Sequence, residues 1–288
     1  MYRYVCKTML RRLFLSKKVS YQARLFSGNF RYLEVLNNEN NVAIVTMKRA
    51  PVNTLNSELL SEISSVLTNL DETKCSGMVL TSFSDKVFSS GLDFNEMYES
   101  RPATIRTLVS TILEVIIKLY GSPFPTVAVI TGHAPSGGCV LSLCCEYRIM
   151  VQNFQIGLNV VKLGYSTPLS IVQLMVNTIG HRNAELALTS GRLFTTNEAL
   201  RVGLIDEIAK DRASAFDKAN DFLNQFKVIP PIARHFTKQS MRRALLQDVS
   251  INGKIYVEDF VSLISRPKVQ ELIAAYMANM KNKKKNSN

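Results

Sequence analysis

The chain predicts an α/β fold of stacked strand–strand–helix units closed by a helical C-terminal extension, on three observations. Short apolar runs alternate with amphipathic helical patterns in the first half; the second half reads as one helix after another; two segments rich in small residues each follow a strand-like run. With 288 residues, 46% of them hydrophobic, the chain can bury a large core. Val42–Met47 reads as a buried strand, followed by a turn-rich Arg49-Ala-Pro-Val-Asn53. Residues 57–70 carry helical apolar spacing at Leu59, Leu60, Ile63, Val66, Leu67 and Leu70. Residues 77–81 form a second strand of the fully buried type, and 104–120 a second amphipathic helix through Ile105, Leu108, Ile112, Val115, Ile116 and Leu119. A third strand, 125–130, leads into a short apolar helix, 137–145, and Tyr147–Val151 is a fourth strand. Beyond about residue 165 the strands are expected to stop. Helices are expected over 168–178, 182–190, 197–202, 213–226, 232–247 and 253–264, with Pro267 in the first turn of a last one reaching Met280. No linker-like stretch marks a second domain. The expected division is a targeting segment, 1–28, a core domain, 29–250, and a C-terminal helical extension with a basic tail, 251–288.

The net charge of +12 is confined to the two ends. Residues 1–33 hold eight basic residues and no acid, and Lys281, Lys283, Lys284 and Lys285 supply the rest of the excess. The body between them is neutral, so a basic groove for nucleic acid is unsupported. At the N-terminus arginines alternate with apolar residues, hydroxyls follow, and Asp and Glu are absent, which is the composition of an organelle transit peptide rather than a secretory signal. The processing region is expected near Arg24-Leu-Phe-Ser27, and the mature protein in the mitochondrial matrix. No run of 18 or more apolar residues calls for a membrane span. Cys6, Cys75, Cys139, Cys144 and Cys145 lack zinc-ligand or redox spacing. Cys144 and Cys145, adjacent in an apolar run, read as small buried side chains. His133, His181 and His235 lie too far apart in sequence to suggest a metal site.

The chemistry is concentrated in the small-residue segments Phe88-Ser89-Ser90-Gly91-Leu92-Asp93-Phe94 and Ala134-Pro135-Ser136-Gly137-Gly138-Cys139-Val140-Leu141. Each can bring bare backbone N–H groups close to a ligand, and two such donors converging on one carbonyl oxygen make an oxyanion hole. Gly91 permits close approach, and Gly137 stands at an expected helix start, where free N–H groups and the helix dipole favour negative charge. Neither segment has a carboxylate placed to move a proton.

These segments, with Pro51-Val-Asn-Thr-Leu55, Cys145-Glu-Tyr-Arg-Ile-Met150, Ile156-Gly-Leu-Asn159, Ile179-Gly-His-Arg182 and Glu198-Ala-Leu-Arg-Val-Gly-Leu-Ile-Asp206, stand in an order that resembles the crotonase (enoyl-CoA hydratase/isomerase) superfamily. Within it the resemblance is to the mitochondrial Δ3,Δ2-enoyl-CoA isomerases (dodecenoyl-CoA isomerases), over about residues 32–280. It implies a spiral of ββα units, a homotrimer, and a fatty acyl-CoA thioester as substrate or ligand, with no cofactor. Matched residue by residue, the oxyanion donors are the N–H groups of Leu92 and Gly137. The substrate-contacting set is Ser90, Gly91, Leu92, Asp93, Phe94, Gly137 and Val160, the acyl tail lying against 104–120 and 160–175. The resemblance also places a catalytic glutamate where this chain has Val160, after Gly157-Leu158-Asn159, and the hydratases' second glutamate where it has Val140.

Hydration needs an acid and a base, so both valines argue against it. Isomerisation needs one proton-moving group, and its usual position is empty. Of the neighbouring polar residues, Asn159 has no useful basicity, Lys162 needs a pKa lowered by burial, Tyr165 and Ser166 are further neighbours, His133 matches no catalytic position, and Glu146 reads as structural. Two functions stay open: an enoyl-CoA isomerase of fatty-acid β-oxidation with a relocated base, and an acyl-CoA-binding paralogue without turnover, perhaps assembled with active subunits. A third, thioester hydrolysis or decarboxylation, needs polar groups that the sequence does not place. The basic tail reads as solvated, with contact to CoA phosphates as the alternative.

Overall fold

The computed structural model describes residues 24–25 and 30–285, with side chains over 30–280, so nearly all of the expected targeting segment and the side chains of the basic tail lie outside the described residues. A short strand, β1 (Arg24–Leu25), pairs with β2 (Leu33–Asn37), which pairs in turn with β3 (Val42–Met47); both pairings are antiparallel. Helix α1 (Ser57–Glu72) starts on Asn56, whose side chain accepts from the Leu59 N–H, and buries the face read from its sequence. Then β4 (Gly77–Ser82) lies parallel to β3, with Val42 opposite Gly77 and Met47 opposite Ser82. Helix α2 (Pro102–Tyr120) begins with proline in its first turn, two residues earlier than the apolar spacing marks.

After α2 come β5 (Thr126–Ile130), β6 (Ala134–Pro135), α3 (Gly137–Cys144), β7 (Tyr147–Val151) and β8 (Gln155–Gly157). Next come α4 (Leu169–Ser190), β9 (Leu193–Thr195), α5 (Thr196–Val202), β10 (Glu207–Ala209), α6 (Arg212–Asn224), α7 (Pro231–Ile264) and α8 (Pro267–Lys285). The main sheet runs β1-β2-β3-β4-β5-β7-β10, parallel from β3 onward, and a small sheet runs β6-β8-β9.

The alternation of side chains along β3, β4 and β5 divides the interior in two. Ala43, Val45, Met47, Met78, Leu80, Ala128 and Ile130 face the large core with α1 and α2. Val42, Ile44, Val79, Val127 and Val129 face a smaller one closed by Ala215, Phe216, Ala219 and Leu223 of α6. A strand covered on both faces has no polar side, which is why these strands read as continuous apolar runs. Cys139, Cys144 and Cys145 are fully buried and free, and burial pushes the Cys139 and Cys145 thiols up to about 12.

Two expectations are corrected and a third is met. Strands do not stop at residue 165: β9 pairs antiparallel with β8, and β10 extends the main sheet alongside β7. Each is three residues long, too short to show a period. The helices expected over 232–247 and 253–264 are one, α7, which also runs through residue 250, where the extension was expected to begin. The pair expected over 168–178 and 182–190 does meet at a break, Gly180, with φ 75° and ψ 159° inside α4.

Helix α7 is fastened to the core by charges. Glu146 pairs with Arg234 and, at 2.9 Å, with Lys238, and also accepts from the Thr126 N–H. Lys238 Nζ further donates to Ser122 Oγ and to the Phe124 carbonyl. Arg242 donates to the Tyr120 carbonyl at the end of α2 and to that of Cys144 at the end of α3. Glu146 is thus structural, as its sequence position implies. Removing one partner of a buried ion pair strands the others, so Glu146→Gln is expected to lower unfolding free energy by about 3–5 kcal/mol in chemical denaturation.

Burial pushes Lys238 down from 10.5 to about 8, against the attraction of Glu146. The unfolded chain therefore holds more protons than the folded one between these values, and Lys238 contributes stability that grows as pH rises through that window. Stability measured from pH 7 to 10.5 is expected to fall more steeply, or rise less, in Lys238→Met than in the parent.

Candidate active site

The site is formed where two loops leave the sheet. The segment after β4 and the segment after β5 emerge at the same edge because these strands are parallel neighbours. The Phe88 N–H donates to the His133 carbonyl at 2.9 Å, tying one loop to the other. Leu55 clamps the first loop through a parallel bridge: its N–H donates to the Gly91 carbonyl at 2.8 Å, and its carbonyl accepts from the Asp93 N–H at 3.0 Å. In such a bridge the intervening residue points its own N–H away, so the Leu92 amide is turned from Leu55.

The approach is close because side chains are missing. A Cβ on Gly91, whose φ is 95°, would lie 2.8 Å from Ser136 Cβ and 3.0 Å from the Gly137 nitrogen. A Cβ on Gly137 would lie 3.1 Å from Gly91 Cα and 3.4 Å from the Leu92 nitrogen. Gly137 opens α3, where the first N–H groups have no acceptor within the helix. The loops thus bring together two backbone amides from residues 45 positions apart in sequence, Leu92 and Gly137.

An apolar cavity of about 50 Å3 lies beside them. Leu92, Gly137, Val140, Leu158 and Val160 stand at its wall, so the valines at both positions where the resemblance implies a carboxylate line it. Helix α2 supplies Val109, Ile112, Leu113 and Ile116, and the 160–175 region supplies Tyr165, Thr167, Pro168 and Ile171, the two regions the sequence points to for the tail end. Tyr256 and Phe260 of α7 complete the wall. The sequence reading missed them; their only signal is an aromatic pair four residues apart on one helix face. Among the described residues, no Asp, Glu, His, Lys, Arg or Cys lines the cavity.

The remaining expected site residues have other surroundings. Ser90, Gly91, Asp93 and Phe94 do not line the cavity. Asp93 is buried, and its carboxylate is taken by Arg49 Nη2 at 2.7 Å and by the Asn95 N–H and side-chain amide, so it braces the loop. Phe94 meets Tyr276 of α8 with ring centroids 5.2 Å apart and planes tilted by 56°, and α8 also reaches the loop through Gln270, bonded to the Met97 carbonyl and the Glu99 N–H. The Ser90 hydroxyl is buried without a partner, as is the side-chain oxygen of Asn159.

Of the candidate bases, Lys162, Ser166 and His133 do not line the cavity. Lys162 and Ser166 are exposed. His133 Nδ1 accepts from the Gln155 N–H, its ring meets Phe154 edge-on, and burial lowers its pKa. Tyr165 is buried and in the wall, its pKa raised by burial and only partly lowered by a hydrogen bond with Ser136. Asp248 is engaged along α7 by Tyr256 Oη at 2.6 Å and by Asn252.

A parallel sheet with glycine-built loops at its carboxyl edge, helices covering both faces, and an apolar cavity beside paired amides together define the crotonase fold. The chain belongs to the enoyl-CoA hydratase/isomerase family, whose model matches residues 37–286. It is 37% identical over 265 residues to mitochondrial enoyl-CoA delta isomerase 1 of Mus musculus, covering 91% of each chain. Against the Homo sapiens protein of that name, identity is 37% over 246 residues, 84% of this chain and 81% of the relative. The crystal structure of human mitochondrial delta3-delta2-enoyl-CoA isomerase superposes with a TM-score of 0.85 at 36% identity, covering 88% of this chain and 100% of that one.

The loop contact predicts unequal sensitivity to a methyl group. At Gly138 a Cβ would meet the Ser89 carbonyl oxygen at 2.5 Å, a backbone atom, whereas at Gly137 the nearest atom is the end of the Leu55 side chain at 2.8 Å. Gly138→Ala is expected to cost about 1–3 kcal/mol of stability. Gly137→Ala is expected to cost less, both read by urea denaturation.

Proposed function

We propose that this chain is an enoyl-CoA Δ3,Δ2-isomerase-type enzyme of mitochondrial fatty-acid β-oxidation, working in the matrix on a fatty acyl-CoA thioester. The thioester oxygen sits between the Leu92 and Gly137 N–H groups and the acyl chain enters the apolar cavity. The observation that carries this reading is the contact of the two glycine loops at the cavity wall. Moving a double bond from C3 to C2 requires removal of a C2 proton and return of a proton at C4. The negative charge then develops on the thioester oxygen, where fixed backbone dipoles stabilise it without reorganising. Each such donor is worth about 10²–10³ in rate. The mitochondrial relatives and the full-length match support the assignment. The resemblance implies a homotrimer, and self-association would cover apolar surface left exposed at Val228, Ile232 and Phe236 near the start of α7.

One observation favours a second reading, binding with weak or no turnover. Val140 and Val160 occupy both carboxylate positions, and the lining supplies no replacement. A positioned base contributes about 10²–10⁴ in rate, so its loss leaves a site that holds the thioester and turns it over slowly.

The test is to mix purified protein with a 3-enoyl-CoA and follow the conjugated 2-enoyl thioester by ultraviolet absorbance, with binding measured in parallel by calorimetry. Binding is expected, and Val160→Glu is expected to raise turnover by about 10²–10⁴. Failure of the parent to bind any acyl-CoA would remove the assignment. Turnover by the parent at rates typical of glutamate-bearing isomerases would remove the second reading alone.

A further inference from the structure

Ser136 stands where β6 ends and α3 begins, with φ 53° and ψ −122°, a backbone conformation that residues other than glycine rarely adopt. Its side chain caps no helix N–H; it lies in the cavity wall instead. The turn can be this tight because Gly91 and Gly138 leave room: a Cβ on the first would meet Ser136 Cβ at 2.8 Å, and on the second the Ser89 carbonyl oxygen at 2.5 Å. A serine on a sharp, strained strand-to-helix turn, packed by glycines and followed by the residue whose N–H is the oxyanion donor in the acyl-thioester reading, resembles a nucleophile elbow. Here that following N–H is Gly137, and the second donor is Leu92.

Against the upward push of burial, a hydrogen bond with Ser136 pulls the Tyr165 pKa down, and Tyr165 is itself buried in the cavity wall. Thr167 lines the same cavity with its hydroxyl buried and unpartnered. The polar side chains of the lining are therefore all hydroxyl-bearing: Ser136, Tyr165, Thr167 and Tyr256. None of these hydroxyls is basic enough to take a C2 proton, whereas a serine hydroxyl beside two backbone donors has the parts of an acyl-transfer site, with the neighbouring phenol as its proton relay.

We propose that Ser136 is an acyl acceptor, giving the site a thioester-cleaving activity alongside isomerisation; the inference rests on the acyl-thioester reading above. Ser136 Oγ attacks the thioester carbon and forms an O–C bond, and the tetrahedral oxyanion is held by the Leu92 and Gly137 amides. Collapse breaks the C–S bond. Tyr165 takes the serine proton as it passes its own phenolic proton to the departing sulfur, so CoA leaves as the neutral thiol. Water, for which Thr167 provides an anchor, then cleaves the acyl-serine ester to a carboxylic acid and regenerates Ser136.

Butyryl-CoA separates this activity from isomerisation, because a saturated chain has no double bond to move. The protein is incubated with it, free CoA is quantified by chromatography, and acylated protein is mapped by mass spectrometry. Binding is read in parallel by calorimetry. The expected result is at least one CoA released per protomer and a butyryl group on the peptide containing Ser136. Ser136→Ala is expected to lose both, Ser136→Cys to retain the adduct, and Tyr165→Phe to slow release by about 10²–10⁴. Parent protein that binds butyryl-CoA without release or adduct overturns this inference alone. An adduct on another residue, such as Cys139, also overturns it. Absence of binding overturns the acyl-thioester reading with it.

Discussion

The contact between the loop at 88–94 and the turn at 134–138 is the constraint on which the rest depends. Backbone meets backbone there at distances that no Cβ would permit at Gly91 or Gly138. Parallel pairing of β4 and β5 delivers both segments to one edge of the sheet, where open α/β sheets place their ligand sites. The Leu55 bridge then fixes the peptide at Leu92, and the Arg49–Asp93 ion pair fixes the loop beyond it. Rigid amides are useful because the work of orienting them is done during folding rather than when charge develops on a ligand.

The cavity wall depends on elements distant in sequence. Helix α2 contributes one side and α7 the other, and α8 covers the loops through Tyr276 and Gln270. What holds α7 in place is largely polar. Glu146, Arg234, Lys238 and Arg242 join it to the ends of α2 and α3, and the two backbone carbonyls bound by Arg242 are helix C-terminal groups that favour a cation. The same cluster that anchors the helix sets the position of Tyr256 and Phe260 in the wall.

Chemically the site sets two backbone amides beside a cavity wall that holds no carboxylate. Val140 and Val160 make the surroundings more apolar, which strengthens fixed dipoles and weakens any route for a proton. The lining carries the hydroxyls of Ser136, Tyr165, Thr167 and Tyr256, and of these Ser136 stands on a strained turn.

Much of the fold was legible because burial writes itself into periodicity. Leu59 to Leu70 gave the buried face of α1, and the apolar runs at 42–47 and 77–82 gave strands covered on both sides. β8, β9 and β10 were not legible, since three residues carry no period and their pairing is decided by partners far along the chain. The unbroken course of α7 through Ser250-Ile-Asn-Gly253 was hidden as well: these are weak helix formers, and the buried Val249 and Val257 on either side carry the helix across. At the site, residue types named the two glycine segments from local chemistry, and the family resemblance named Val140 and Val160 as carboxylate positions. The strain at Ser136, its pairing with Tyr165 and the wall contributed by Tyr256 and Phe260 were decided only by the tertiary structure. They arise from how distant elements pack against each other, and a linear pattern of side chains records propensity and period but not that packing.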